Sequence, residues 1–381
     1  MAFVTASMAG LYLYRLGSLA PRLSPTEFET VTLNHQLVYI LHNPLDIIYK
    51  LLVWGSLHVP KLPGLWQARL PSVLLGLISI GLAAYILHHW YGRRSAVYGF
   101  FIFASSAWIL HAARFASADI IAVLAILAVL ATHINLHDHE KSAAAWFVWL
   151  LTMSLLLFTP GMLWLVILAA FWQGRAVLNA WSNLSIWQRT LSVVAPLSVL
   201  GTLAQGFITG YWLPSLLAWL GIPRQLPLVT LTQLPHNVLT TLLSIVWRAP
   251  VMPETWLGNV PILNAFLIAA FVAGLIFYVR HWQATRAQML GSYLILGVGI
   301  ASLGNVSIGI LVPILYLIAV AGIAYALQFW LHVFPRNPLA RGFGIGLITI
   351  LVGMSCYFGL AQYFIAWPHN PDTLRVYQTQ R

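Results

Sequence analysis

Charge is scarce in this 381-residue chain: Asp, Glu, Lys and Arg together make up 7% of it, and only eight residues are acidic. Hydrophobic residues make up 60%, leaving too little polar surface to cover a soluble globule of this size. The single cysteine, Cys356, lies inside an apolar run, which excludes a disulfide framework and a cysteine-based metal centre. No GxGxxG, GxxxxGKS/T, HExxH or GxSxG occurs, so dinucleotide, nucleoside-triphosphate and zinc-protease readings have no support. There is also no solenoid repeat, heptad run or low-complexity tract.

What the chain has in quantity is apolar runs of a length suited to a hydrocarbon layer roughly 30 Å thick. Hydrophobic patterning predicts spans over 2–14, 71–89, 96–113, 118–135, 144–158, 161–174, 190–209, 261–279, 287–302, 307–331 and 343–363. The expected fold is therefore all-α: a polytopic membrane protein with about eleven transmembrane helices, 1–381 as one integral membrane domain, and no separate soluble domain. The stretch from Met1 to Tyr14 has no basic region before it and no small-x-small cleavage site, so it reads as a short helix and not as a cleavable leader. It is short for a full span, which implies either a tilted helix or a start that has lost its cytoplasmic end. Seventeen Trp and fifteen Tyr suit anchoring at the headgroup level.

Alternation puts Arg93, Arg94, Lys141, Arg175, Arg189, Arg280, Arg286, Arg336 and Arg341 in short loops on one side, the cytoplasmic one by the positive-inside rule. Ten further basic residues fall on the other side. Basic residues kept there against the usual bias suggest an anionic ligand. The formal charge of +11 comes from residues scattered between spans, with no basic arm, so nucleic acid is not expected and anionic lipid or lipid phosphate is. Two extracytoplasmic segments exceed a simple turn. Within 15–70, residues 36–58 carry a helical mixture of apolar and polar residues that predicts a juxtamembrane helix, while 210–260, rich in Pro and Trp, predicts re-entrant or interfacial pieces.

Six of the eight acids, Glu27, Glu29, Asp46, Asp119, Glu254 and Asp372, fall on this extracytoplasmic side; Asp138 and Glu140 fall on the other. In "HAARFASADII" Asp119 lies five residues after Arg114, between two spans. It reads either as half of an interfacial ion pair with Arg114 or as an acid lining an active cavity. In "LSPTEFET" Glu27 and Glu29 read either as catalytic acids or as negative charge in the first turn of a helix capped by Ser24.

The stretch from Asn43 to Leu130, "NPLDIIYKLLVWGSLH", "ARLPS", "GRR" and "ARFASAD" in that order, resembles the amino-terminal membrane module of GT-C glycosyltransferases, the group that includes protein O-mannosyltransferases and the lipid A aminoarabinose transferase. The resemblance covers 15–175, with 176–381 as additional transmembrane helices. It implies transfer of a sugar from a polyprenyl-phosphate donor to an acceptor glycan, lipid or protein at the outer face of a bacterial cytoplasmic membrane. It assigns catalytic roles to Glu27 and Asp119. Thr26 departs from the family's pattern, standing where an Asp usually precedes the Glu, which leaves the base open between Glu27 and Glu29. Such chemistry needs a carboxylate to take the acceptor's proton and cations to neutralise the departing phosphate, for which Lys50, Arg69, Arg114 and Arg248 are the candidates and lipid snorkelling the alternative. Without a DxD pair, no metal and no cofactor is expected, although His35 and His42 could join Glu27 or Asp46 as ligands. The rival readings are a transporter or flippase-like protein for a lipid-linked or anionic solute, and a non-catalytic relative of the same family.

Overall fold

The computed structural model describes residues 2–19, 22–209, 212–223, 227–249, 252, 254 and 260–378. Its elements are helices. The first seven are α1 (Ala2–Leu13), α2 (Pro25–Leu33), α3 (Leu37–His42), α4 (Ile47–Leu57), α5 (Gly64–Ser105), α6 (Ala107–Arg114) and α7 (Asp119–Asp138). They are followed by α8 (Ala143–Leu156), α9 (Met162–Ser182), α10 (Ile186–Thr209), α11 (Trp212–Trp219) and α12 (Pro227–Val246). The last five are α13 (Ala265–Arg280), α14 (Thr285–Ser302), α15 (Leu311–Val333), α16 (Pro338–Ala361) and α17 (Pro371–Gln378). Six of the described helices are long and apolar enough to cross a membrane, and α4, α8 and α13 are shorter apolar helices. The protein is an all-α polytopic membrane protein.

Two predicted spans fall within α5. Its helical geometry is interrupted at Gly92, whose φ of 79° suits glycine because it has no Cβ to clash. The chain reverses there: a Cβ on Gly99 would collide with the side chain of Leu87, twelve residues back, which a straight helix would hold far away. The second limb is not the single span predicted over 96–113. It breaks at Ser106, whose extended backbone lets its hydroxyl cap the Ile109 N–H and pair with the Tyr316 hydroxyl at 2.8 Å.

Two other elements differ from expectation. The segment 174–189, read as a loop because of Arg175, Asn179, Ser182 and Arg189, is helical to Ser182 and again from Ile186. Its polar residues alternate at helical spacing with Val177, Ala180 and Trp181, so they mark one face and not a break. The juxtamembrane helix over 36–58 is two helices, because Pro44 cannot continue α3, and Asp46 adopts a left-handed conformation before α4.

The run Ile308–Val333, which contains α15, has 89% of its apolar window buried and forms the centre of the bundle. It packs against α13 at backbone contact. A Cβ on Gly322 would strike the Ala270 carbonyl, and one on Gly274 the Ile318 carbonyl.

Candidate functional site

The end of the bundle carrying Asp119 is fixed by hydrogen bonds among α2, α4, α5 and the loop before α7. Ser24, Pro25 and Glu27 start α2 with a complete capping box: the Ser24 hydroxyl accepts from the Glu27 N–H, and the Ser24 N–H donates to Glu27 Oε2 at 3.0 Å. The same carboxylate takes both arms of a bidentate fork, from Arg69 Nε to Oε1 and from Nη2 to Oε2, each at 2.8 Å. A fourth donor, the Ala116 N–H, reaches Oε1 at 3.0 Å. Glu27 is wholly buried. Arg69 directs its remaining bonds to the carbonyls of Leu16 and Arg22. A parallel tie runs from the Tyr49 hydroxyl on α4 to Ser72 on α5 at 2.8 Å, and from Ser72 to the Phe115 carbonyl at 2.7 Å.

These ties set the positions of two acids that are not so occupied. Asp46 has φ 57° and ψ 26°, a conformation uncommon for a residue with a side chain, and its N–H is held by the Phe158 carbonyl at 2.7 Å. Its Oδ1 is buried without a hydrogen-bond partner among the described residues. Burial pushes its carboxyl up to about 7; Lys50, one turn along α4, opposes this, and the charge of Asp119 adds to it. The two carboxylates are therefore close enough to feel each other. Asp119 is exposed at the first turn of α7, and the Ser117 hydroxyl donates to its Oδ2 at 3.0 Å. Lys50 is half-buried and donates to the Asn43 carbonyl at 2.9 Å.

Arg114 does not pair with Asp119, as one reading of the sequence had it. It turns away into the bundle, donates to the Tyr14 carbonyl and lies 5.0 Å from the ring centres of both Tyr363 and Phe364. Its Nε and Nη1 are buried without partners among the described residues. Beside it lies a cavity of about 10 Å³, bounded also by Arg69, His111 and Tyr377, with room for at most about one water. Arg248 is exposed just after α12, and no described contact links its side chain to the other candidates. Glu29 lies exposed on α2. Thr26 donates to Glu254 Oε2 at 2.6 Å.

His42 Nδ1 donates to the Val38 carbonyl of its own helix at 2.8 Å, and His35 lies 6.0 Å from the ring of His58. Among the described residues no three His, Cys, Asp or Glu side chains gather as metal ligands would. Asp46 is the residue that the reading of the sequence undervalued. A usable signal was there: an Asp directly after Asn43-Pro44-Leu45 stands at a forced helix break, where side chains are re-aimed.

An apolar groove of about 750 Å³ runs between α13 and α16 at this end, lined by Phe266, Ile350, Met354 and Phe358 among others. Asn264, Ser355 and Phe358 continue into a smaller polar recess with Ser106, Tyr316 and Gln362. Gln362 precedes Tyr363, the ring beneath Arg114. A larger cavity, about 990 Å³, lies elsewhere, at the Gly92 end.

No family model matches the sequence, and no curated protein does. Solved structures do resemble it. The oligosaccharyltransferase AglB of Archaeoglobus fulgidus superposes in its apo form with a TM-score of 0.59 at 15% identity, over 97% of this chain and 56% of that one. The same enzyme in complex with an inhibitory peptide and a dolichol-phosphate gives 0.56 at 12% identity, over 96% and 56%. ArnT of Cupriavidus metallidurans bound to undecaprenyl phosphate gives 0.49 at 16% identity, over 99% and 76%. The chain spans a little over half the length of the archaeal oligosaccharyltransferase, and over that length it shares that protein's fold.

Proposed function

We propose that the chain is a GT-C glycosyltransferase that moves a sugar from a polyprenyl-phosphate donor to an acceptor at the end of the bundle carrying Asp46 and Asp119. The observation that carries this reading is that pair: two carboxylates at adjoining helix starts, one with a partnerless buried oxygen and a proton affinity near neutrality, held by a rigid hydrogen-bonded frame. A general base works best with its proton affinity near the working pH, and Asp46 meets that condition. Asp119, exposed and hydrogen-bonded by the Ser117 hydroxyl, orients the acceptor or the donor sugar.

The division of labour differs from the one the sequence suggested. Glu27 and Arg69 saturate each other and serve as frame, so the base role passes to Asp46. Lys50, half-buried one turn from Asp46, is the cation for the donor phosphate, and the apolar groove between α13 and α16 offers its prenyl tail a path to this end of the bundle. The fold's company supports the donor class, since AglB has been captured with a dolichol-phosphate. The side of the membrane is taken as extracytoplasmic from the loop charges alone.

The test is transfer by the full chain in lipid nanodiscs, supplied with mixed polyprenyl-phosphate sugars and native membrane acceptors and followed by release of polyprenyl phosphate. Asp46→Asn should lower release by roughly 10²- to 10⁴-fold while a lipid-displacement assay still finds donor bound. Unchanged release in that variant, with wild type active, overturns the assignment of Asp46. Donor binding without release in wild type would instead favour a non-catalytic relative, a reading to which Thr26 and the saturated Glu27 lend weight.

A further inference from the structure

The Gly92 end holds a cavity of about 990 Å³, and nothing in the transfer reaction uses it. Its walls come from α5 just before Gly92, the last turns of α7, the second half of α9 and the start of α14. The polar groups are segregated. Asp138 and Glu140, at the end of α7, each face a histidine: His89 at 3.6 Å and His137 at 3.5 Å. The arginines stand on the other walls, Arg175 on α9 and Arg286 on α14, and neither is in an ion pair among the described residues.

Arg175 is the informative residue. It lies seven residues before α9 ends at Ser182, about 10 Å along the helix axis at 1.5 Å per residue, inside a stretch apolar enough to span a membrane. It is exposed, and no hydrogen bond or ion pair to it occurs among the described residues. A guanidinium at that depth, unpartnered by protein, is expensive unless an anion or water meets it. Arg286 is held in place by the Trp90 carbonyl at 3.0 Å and by the face of Tyr91 at 6.0 Å, leaving other donors of its fork for the cavity.

Beside the polar lining, which also includes Asn179 and Thr285, the cavity has an apolar side that reaches the outside of the bundle. Phe171 is 75% exposed, and Trp172 and Met289 continue the surface inward. A free inorganic anion would have no use for that apolar path, whereas a lipid would place its chains along Phe171 and its headgroup between the arginines.

We infer that this cavity binds the phosphate headgroup of an anionic membrane lipid, gripped by Arg175 and Arg286, in the leaflet opposite the Asp46–Asp119 site. The phosphate takes bidentate hydrogen bonds from the two guanidinium forks, with the histidines of α7 as further donors.

Native mass spectrometry of the full chain in detergent tests this, with phosphatidylglycerol and phosphatidylcholine of matched chains offered together. Wild type should retain phosphatidylglycerol at least about tenfold over phosphatidylcholine, a difference of about 1.4 kcal/mol. Arg175→Gln should abolish most of the preference, Arg175→Lys should keep part of it, and Arg93→Gln, at the same end but outside the cavity, should leave it unchanged. Because Arg175 is exposed and bonded to nothing described, Arg175→Gln should fold, and its melting temperature in detergent confirms that before lipid is counted. Millimolar inorganic phosphate should not displace the lipid. No headgroup preference in wild type, or a preference that survives Arg175→Gln together with Arg286→Gln, overturns the inference. Displacement by inorganic phosphate overturns the lipid and leaves a free-anion site.

Discussion

Glu27→Gln distinguishes a frame residue from a catalytic one, and the geometry gives its size. The wild-type carboxylate is 0% exposed and accepts from four donors, two on each oxygen: Arg69 Nε and the Ala116 N–H on Oε1, Arg69 Nη2 and the Ser24 N–H on Oε2. A glutamine keeps one oxygen and replaces the other by an amide nitrogen. Whichever way it is flipped, the nitrogen faces two donors that now have no acceptor, and Arg69, 3% exposed, keeps an unneutralised charge. Breaking a buried ion pair on one side costs roughly 3–5 kcal/mol, against total stabilities of about 5–15 kcal/mol. The variant should therefore unfold at much lower denaturant in mixed-micelle titrations. Arg69→Met should do the same, and the two changes together should cost clearly less than their sum, since the second removes the charge that the first leaves stranded. If Glu27→Gln unfolds like wild type and only transfer is lost, the frame assignment fails and Glu27 returns as the base.

Asp46 supplies a second test, through pH. Its folded carboxyl holds a proton up to about 7, whereas an unfolded one releases it near 4, so the stability it contributes is complete below about 4 and lost as pH rises through about 7. Asp46→Asn should accordingly raise the melting temperature at pH 8 and leave it nearly unchanged at pH 4. In wild type, transfer should rise with pH to a plateau above about 7, a limb absent from any residual Asp46→Asn activity. Gly322→Ala drives a methyl into the Ala270 carbonyl and should destabilise by about 1–3 kcal/mol, whereas Gly346→Ala, with open space around it, should not.

The membrane class, the helical content and the order of elements through α7 were legible because they rest on composition and on the 3.6-residue period. Breaks were less so. Nothing in the periodicity over 96–113 marks Ser106, because the break there is stabilised by Tyr316, two hundred residues further on. Arg175 and its polar neighbours looked like a loop because a sequence does not say whether a polar face meets water, lipid or a cavity. In the candidate site Glu27 and Ser24 carried two legible meanings at once, catalytic acid and capping box. The box is present, and it was Arg69, forty-two residues away, that closed off the carboxylate. Arg114 and Asp119 lie five residues apart, so an ion pair was one of two readings of Asp119, but a helix end lies between them, and the aromatic pair that follows α16 holds the arginine the other way.

The all-round burial of α15 bears on voltage. A charge carried across a membrane exchanges about 2.3 kcal/mol per 100 mV with the potential, which is how permeation proteins feel it. Here the position a conduction path would take is filled by an apolar helix whose tyrosine, Tyr316, is bonded to Ser106. Asp46, Asp119 and Lys50 lie near one end of that helix. A proton taken up at Asp46 stays on its own side of the insulating layer, so the chemistry at that end should run at the same rate in polarised and depolarised vesicles.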